Sequence, residues 1–268
     1  MKRSITDQIK SFLIRGLTPT LLATAILSLG AATAWAGGDN DGKPAVLPPQ
    51  SHPYGKSYAE WSAAHWQWTY SLPADHHPLT DTADASTGQS GSVWFLGGTF
   101  APTTDLNGNL VGIADRHVTV PAGKALFFPI TDAEQSLAEG GTSEADCRAA
   151  ANDYANHMVG LSCTIDGRTL KNLPAYRTES PFFTFGPLPD NNLLGLPAGT
   201  TTAAVSDGYF VMLAPLSPGE HIIHFTGALV YTAAADGFDF SFSLDITYHI
   251  KVAAHGHGGD NNQGCDKD

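Results

Sequence analysis

Trp61, His65 and Trp68 recur at helical spacing, with Trp66 lying around the helix from them. A tryptophan face stacks on sugars and aromatic rings, and an adjacent imidazole adds a polar contact, so this stretch could form one wall of a ligand cleft. The same stripe could instead dock the helix on a sheet. His76 and His77 follow within a few residues. Together Trp66, His65, His76 and His77 are the candidate ligand-binding residues, and the expected ligand is a glycan or another cell-surface or extracellular component.

Metal chemistry has one local candidate. Asp105-Leu-Asn107-Gly-Asn109 places oxygen ligands at alternate positions, like the opening of a calcium loop. It lacks the bidentate Glu that closes such loops, and Asn107-Gly108 is equally a favoured hairpin turn. Ca2+ is therefore the only cofactor suggested. His221 and His224 are three apart in an expected strand, which sends them to opposite faces. His255 and His257, in the tail, could bind metal only as any His-rich segment does. No His/Cys/carboxylate group has the spacing of a defined zinc site.

Hydrolase signatures are missing: there is no Gly-x-Ser-x-Gly elbow, His-Glu-x-x-His pair or phosphate-binding glycine loop. No catalytic residue is assigned. A polymer hydrolase with dispersed Asp, Glu and His remains an alternative, because paired carboxylates come from distant positions. Asp239 and Asp245 do not form such a pair, being roughly 20 Å apart along one strand. A structural or assembly protein is the third reading.

The elements that position these residues are mostly strands. Phe238 to Val252 alternates apolar and polar residues throughout, the mark of a strand with one oily face. Further strands are expected at Ser92–Phe100, His117–Val120, Lys124–Ile130, Ser162–Ile165, Arg168–Lys171, Phe182–Phe185, Thr201–Val205, Tyr209–Leu213 and Glu220–Val230. Asp166-Gly167 is a hairpin signal. Helices are expected over Tyr58–Leu72 and from Glu144 to about Met158, the second starting at Ser143 with a capping-box-like pattern. The fold class expected is all-β, an antiparallel β-sandwich or jelly roll with two accessory helices.

Residues 1–36 read as an export signal: a basic start, an apolar run over Leu17–Leu29, and Ala34-Trp35-Ala36 as the small-x-small cleavage site. Cleavage removes a net charge of +3 (Lys2, Arg3, Lys10 and Arg15 against Asp7) from the total of −12, leaving about −15. That acidity opposes nucleic acid and anionic lipid as partners. No later segment is long and apolar enough to span a bilayer, so a soluble periplasmic or extracellular protein is expected. Residues 37–53 should be a mobile lead-in, 54–253 one domain, and 254–268 a disordered His/Gly/Asp-rich tail. Cys147 and Cys163 are the expected disulfide, which would stabilise by roughly 3 kcal/mol in an oxidising compartment. Cys265 is left over.

Several blocks occur in order: Tyr54-Gly-Lys-Ser-Tyr-Ala-Glu-Trp61 with Trp66-x-Trp68, then Gly91-Ser-Val-Trp-Phe-Leu-Gly-Gly98, then Val120-Pro-Ala-Gly-Lys-Ala-Leu-Phe-Phe-Pro129. Asp207 to Phe225 completes the set. The chain thereby resembles a group of uncharacterised exported bacterial proteins with a W-x-x-x-x-W-x-W helix and a V-P-A-G-K-x-L-F-F-P strand entry. The resemblance implies export and brings no activity, ligand or catalytic residue with it.

Overall fold

The computed structural model describes residues 44–253. The segment expected to be an export signal, the His255–His257 pair, Cys265 and the expected tail lie outside them. In chain order the elements are β1 (Val46–Leu47), α1 (Tyr58–Tyr70), β2 (Val93–Phe95), β3 (Thr103–Thr104), β4 (Leu110–Val120) and β5 (Ala125–Ser136). Then come α2 (Glu144–Asn156), β6 (Met158–Ile165), β7 (Arg168–Thr169), β8 (Arg177–Glu179) and β9 (Phe183–Phe185). The last are β10 (Thr202–Leu213), β11 (Gly219–Tyr231), the single turn α3 (Ala233–Asp236) and β12 (Phe240–Val252). No helix among the described residues is long and apolar enough to cross a membrane.

Strands dominate, in two mixed sheets. The first has the order β1-β10-β5-β2, with β8 and β9 also on β10; the second is β3-β4-β12-β11-β6-β7. The expectation of purely antiparallel sheets needs correction. β4 and β12 run parallel from Leu110↔Phe242 to Val120↔Val252, and β2 runs parallel to β5. Alternation fixes which face of a strand is oily, but it carries no information about the direction of the partner.

The local signals explain most elements. Ser57 accepts from the Glu60 N–H while Glu60 accepts from the Ser57 N–H, a reciprocal cap that starts α1. Ser143 caps α2 in the same position. Asp166 and Gly167 both take positive φ, which the two-residue β6–β7 turn requires. Within the lead-in, Val46–Leu47 pairs with the edge of β10. The two strands expected either side of Ser206-Asp207-Gly208 are one, β10. Asp207 is buried there and accepts from Arg177 Nη2 at 2.7 Å, so this turn-like tripeptide is held extended.

Core-facing rows from both sheets form one buried cluster: Leu126, Phe128 and Ile130 of β5 and Val211 of β10 meet Ile223 and Phe225 of β11 and Ile246, Tyr248 and Ile250 of β12. The Phe128 and Phe225 rings stack at 5.4 Å. Each such side chain contributes about 1.5–3 kcal/mol by burial. The opposite face of the first sheet packs on α1, where Tyr58 meets Phe127, Phe210 and Met212. The oily face of β12 is fully buried only from Ile246 onward. Phe242 and Leu244 stay half-exposed because the inter-sheet space widens into a cavity beside them.

One core position is a cation. Arg116 points inward from β4 and is 8% exposed. Its Nε donates to Asp81 Oδ1 at 2.6 Å, and its Nη1 donates to the carbonyl of Gly98 at 2.8 Å and to the Tyr248 hydroxyl at 2.7 Å. The guanidinium thus ties the loop after β2 to both β4 and β12.

The expected disulfide is also corrected: Cys147 and Cys163 are free thiols. Cys147, on α2, is buried against Ala151 and Val205, whereas Cys163, on β6, belongs to the inter-sheet core. Sixteen residues of separation fits a bridge, but the two side chains end up in different clusters. Burial pushes both thiols above the usual cysteine pKa, Cys163 to about 12.

Candidate functional site

The site follows from an irregularity in β5. Pro129 pairs with Phe210, but Thr131 pairs with the next residue, Tyr209, leaving Ile130 as an extra residue. This is a β-bulge, and Pro is tolerated within sheets mainly at such places. Without it, Asp132 and Glu134 would share the core-facing side with Leu126 and Phe128. The extra residue turns both carboxyls toward α1. There Tyr70 donates its hydroxyl to Glu134 Oε1 at 2.6 Å. Opposite Asp132 sits Gly208, where an added Cβ would lie 2.5 Å from Asp132 Cα. Only glycine fits that close approach, so the β10 sequence is shaped by the bulged β5 backbone it faces.

Strand pairing on the far side of β5 ends at Phe127. Along the edge left beyond it opens a cavity of about 540 Å³. Trp66, Thr69 and Tyr70 of α1 line one side; Phe100 and Pro102 and the Asn191–Gly195 loop line others, and Leu229, Phe242 and Leu244 come from the second sheet. The wall is mostly apolar, with polar groups at a few places, as small-molecule sites are.

Those polar groups are unusual. Asp132 Oδ2, Trp66 Nε1, Thr69 Oγ1 and His65 Nδ1 are all buried and make no hydrogen bond of ordinary geometry. All four belong to residues lining the cavity. Burial pushes the Asp132 carboxyl up to about 8, with the nearby Trp66 N–H opposing part of the rise. The residue keeps some surface on the cavity while its Oδ2 is sealed away. At neutral pH this carboxyl is therefore mainly a neutral acid. Burial also lowers His65 to about 4, so its ring is neutral. Its Nε2 lies 2.8 Å from the Leu96 carbonyl, which can only accept, so Nε2 carries the proton. Nδ1 is left as a bare acceptor.

The four residues singled out from sequence divide. Trp66 and His65 line the cavity. His77 is fully buried beside it, and both its nitrogens are engaged: Nδ1 accepts from the Leu79 N–H and Nε2 donates to the Thr69 carbonyl, each at 2.9 Å. It braces the chain behind the wall. His76 is exposed in a short turn and does not line the cavity. Trp61 and His65 of the tryptophan stripe dock α1 on Phe95 and Phe127, while Trp66, off the stripe, faces the other way.

A smaller hollow of about 390 Å³ lies across α1, against Trp61 and Trp68. Its indole N–H groups are already spent on the carbonyls of Pro53 and Thr87, and Lys56 lies over the Trp61 ring at 5.0 Å. Its two tryptophans therefore have no N–H left to offer a ligand. In the calcium-like loop, Asp105 accepts from the backbone N–H groups of Asn107 and Asn109 and from the Asn109 amide. The only carboxylate of Asp105–Asn109 thus closes its own turn, and its pKa is lowered by those bonds. His221 and His224 do fall on opposite faces, bonded to Asp166 and Asp245 respectively.

Asp132, Glu134, Tyr70 and Thr69 were not reached from sequence. The one available signal was Pro129 inside an otherwise central strand, which marks a bulge and hence a re-aimed side chain. No protein-family model matches the chain, and no curated protein matches it. Among solved structures, a chain from the complex of PbICP-C with falcipain-2 is similar over 60% of this chain and 99% of its own, at 11% identity and a TM-score of 0.21. Similarity that slight carries no argument about fold or activity.

Proposed function

We propose that the chain is an exported binding protein whose cavity takes a small hydroxylated ring, such as one sugar unit of a glycan. The observation that carries this reading is a mostly apolar cavity walled by Trp66 and Phe100, beside which the buried Thr69 Oγ1 and His65 Nδ1 have no partner and Trp66 Nε1 is turned to the Asp132 carboxyl. Native proteins rarely leave such atoms orphaned, and a ligand is one way to satisfy them. His65 Nδ1 is an acceptor, the Thr69 hydroxyl is either, and the neutral Asp132 carboxyl beside Trp66 Nε1 can both donate and accept. A ring bearing several hydroxyls supplies both roles, and its apolar face suits Trp66 and Phe100. We also read the two sheets as the layers of a β-sandwich, on the strength of their shared inner cluster. Export rests on the pattern of residues 1–36.

A second reading has one specific support. A carboxyl held neutral at pH 7, with another carboxyl two residues along the same strand face, resembles the acid and partner of a glycoside hydrolase. Residues two apart in a strand are separated by about 7 Å, within the range such pairs use.

Titration calorimetry with methyl glycosides of hexoses and N-acetylhexosamines tests the first reading, and incubation with aryl glycosides of the same sugars tests the second. Binding of one class is expected, weakened about tenfold in Trp66→Phe, which removes a donor worth about 1–1.5 kcal/mol. If only apolar probes bind, the hydroxylated-ligand reading fails. Release of an aryl aglycone that is lost in both Asp132→Asn and Glu134→Gln would select the hydrolase.

A further inference from the structure

We propose that Asp115, His117 and His249 form a binding site for a divalent transition metal on the solvent face of the second sheet. The parallel register sets His117 of β4 directly beside His249 of β12. Asp115, two residues before His117, shares that face. One ligand atom from each residue lies within 4.8 Å of the others. His249 Nε2 is already 3.0 Å from Asp115 Oδ1, and the two imidazole rings stack at 4.4 Å with 9° between their planes.

Metal–ligand distances near 2.0–2.1 Å put neighbouring ligand atoms of a tetrahedral zinc site roughly 3.3 Å apart. The Asp115–His249 side of the triangle, at 3.0 Å, is already that short, while the sides to His117, within 4.8 Å, close as the stacked rings rotate to aim both lone pairs at one ion. That motion is available: the Asp115 side chain is 68% exposed and that of His249 is 31% exposed. The backbone beneath is fixed, because β12 is paired on both sides, by β4 and β11. Two imidazoles and one carboxylate suit Zn2+, Ni2+ or Cu2+ and discriminate against Ca2+. The remaining position would face solvent and hold water. Nothing in this site touches the cavity, so either assignment stands if the other fails.

The test uses the full chain, stripped with chelator and titrated with ZnCl2 in a calorimeter. One site is expected, with a dissociation constant in the micromolar range or tighter, weakened about tenfold or more in His117→Ala, His249→Ala or Asp115→Asn. Saturating Zn2+ should raise the melting temperature of the parent chain but not of these variants. The substitutions are on a surface, so the metal-free melting temperature should be unchanged, and the His255→Ala/His257→Ala double variant should keep the site. Affinity unaltered by all three ligand substitutions, or lost only with the tail histidines, overturns the proposal.

Discussion

Replacing Asp132 by asparagine should raise the melting temperature at alkaline pH and, in the same variant, weaken ligand binding. The carboxyl titrates near 8 in the folded chain, against about 4 for an unfolded aspartate. Between those values the folded state holds a proton that the unfolded state has released. Stability therefore falls as pH rises from about 4 to about 8, and levels off above that. Asparagine has no charge to bury, so it escapes this loss. Each tenfold in proton affinity is worth about 1.4 kcal/mol, which bounds the effect at about 6 kcal/mol. The residue's partial exposure reduces it, to about 2–3 kcal/mol, or roughly 5–10 °C for a domain of this size. Calorimetric scans at pH 4.5 and pH 8.5 check the sign: the variant's advantage should appear at the higher pH and vanish at the lower. An equal difference at both would mean that Asp132 is not buried as an acid. A residue that lowers stability where it is kept is a natural place for function to reside.

Arg116→Met should be the most destabilising single change outside the apolar core, at about 3–5 kcal/mol, because one partner of a buried ionic and hydrogen-bonded group is removed. Methionine would leave the Asp81 carboxylate, the Gly97 and Gly98 carbonyls and the Tyr248 hydroxyl without their cation. The companion change Asp81→Asn should cost only about 1 kcal/mol, since Asp81 is half-exposed. Urea unfolding of the two variants separates these costs. Equal losses would show that the exposed pair with Asp81, and not the tether to the loop, does the holding. The tether also matters to the cavity, whose wall includes Gly98, Thr99 and Phe100 from that loop. Ligand affinity should fall in Arg116→Met even at temperatures where the variant remains folded.

How far the sequence reached depends on the range of each signal. Period-two alternation located β12 and chose its buried face, the three- and four-residue recurrence of Trp61, His65 and Trp68 placed α1, and the Asp166-Gly167 turn placed the β6–β7 hairpin. These are local patterns, decided within a few residues. Two long-range facts were out of reach. The parallel pairing of β4 with β12 joins residues more than a hundred positions apart, and it alone brings His117 beside His249. The bulge at Ile130 shifts the phase of β5, so that Asp132 and Glu134 face α1 against the parity of the preceding residues. Thr131-Asp132-Ala133-Glu134 looks polar enough for a loop, which is why the expected strand stopped at Ile130. The disulfide failed for a similar reason: spacing along the chain says nothing about which cluster a buried thiol joins.

A hydroxylated ligand that enters the cavity between α1 and β5 must come up against Trp66. The most direct measurement is the indole N–H resonance of Trp66, assigned through Trp66→Phe, followed in heteronuclear spectra while the glycoside that binds most tightly is added. The account predicts that this resonance moves with saturation at the calorimetric dissociation constant and that the movement is lost in Asp132→Asn. A ligand that binds while the Trp66 resonance stays still, and instead shifts the Trp61 and Trp68 signals across the helix, would contradict it.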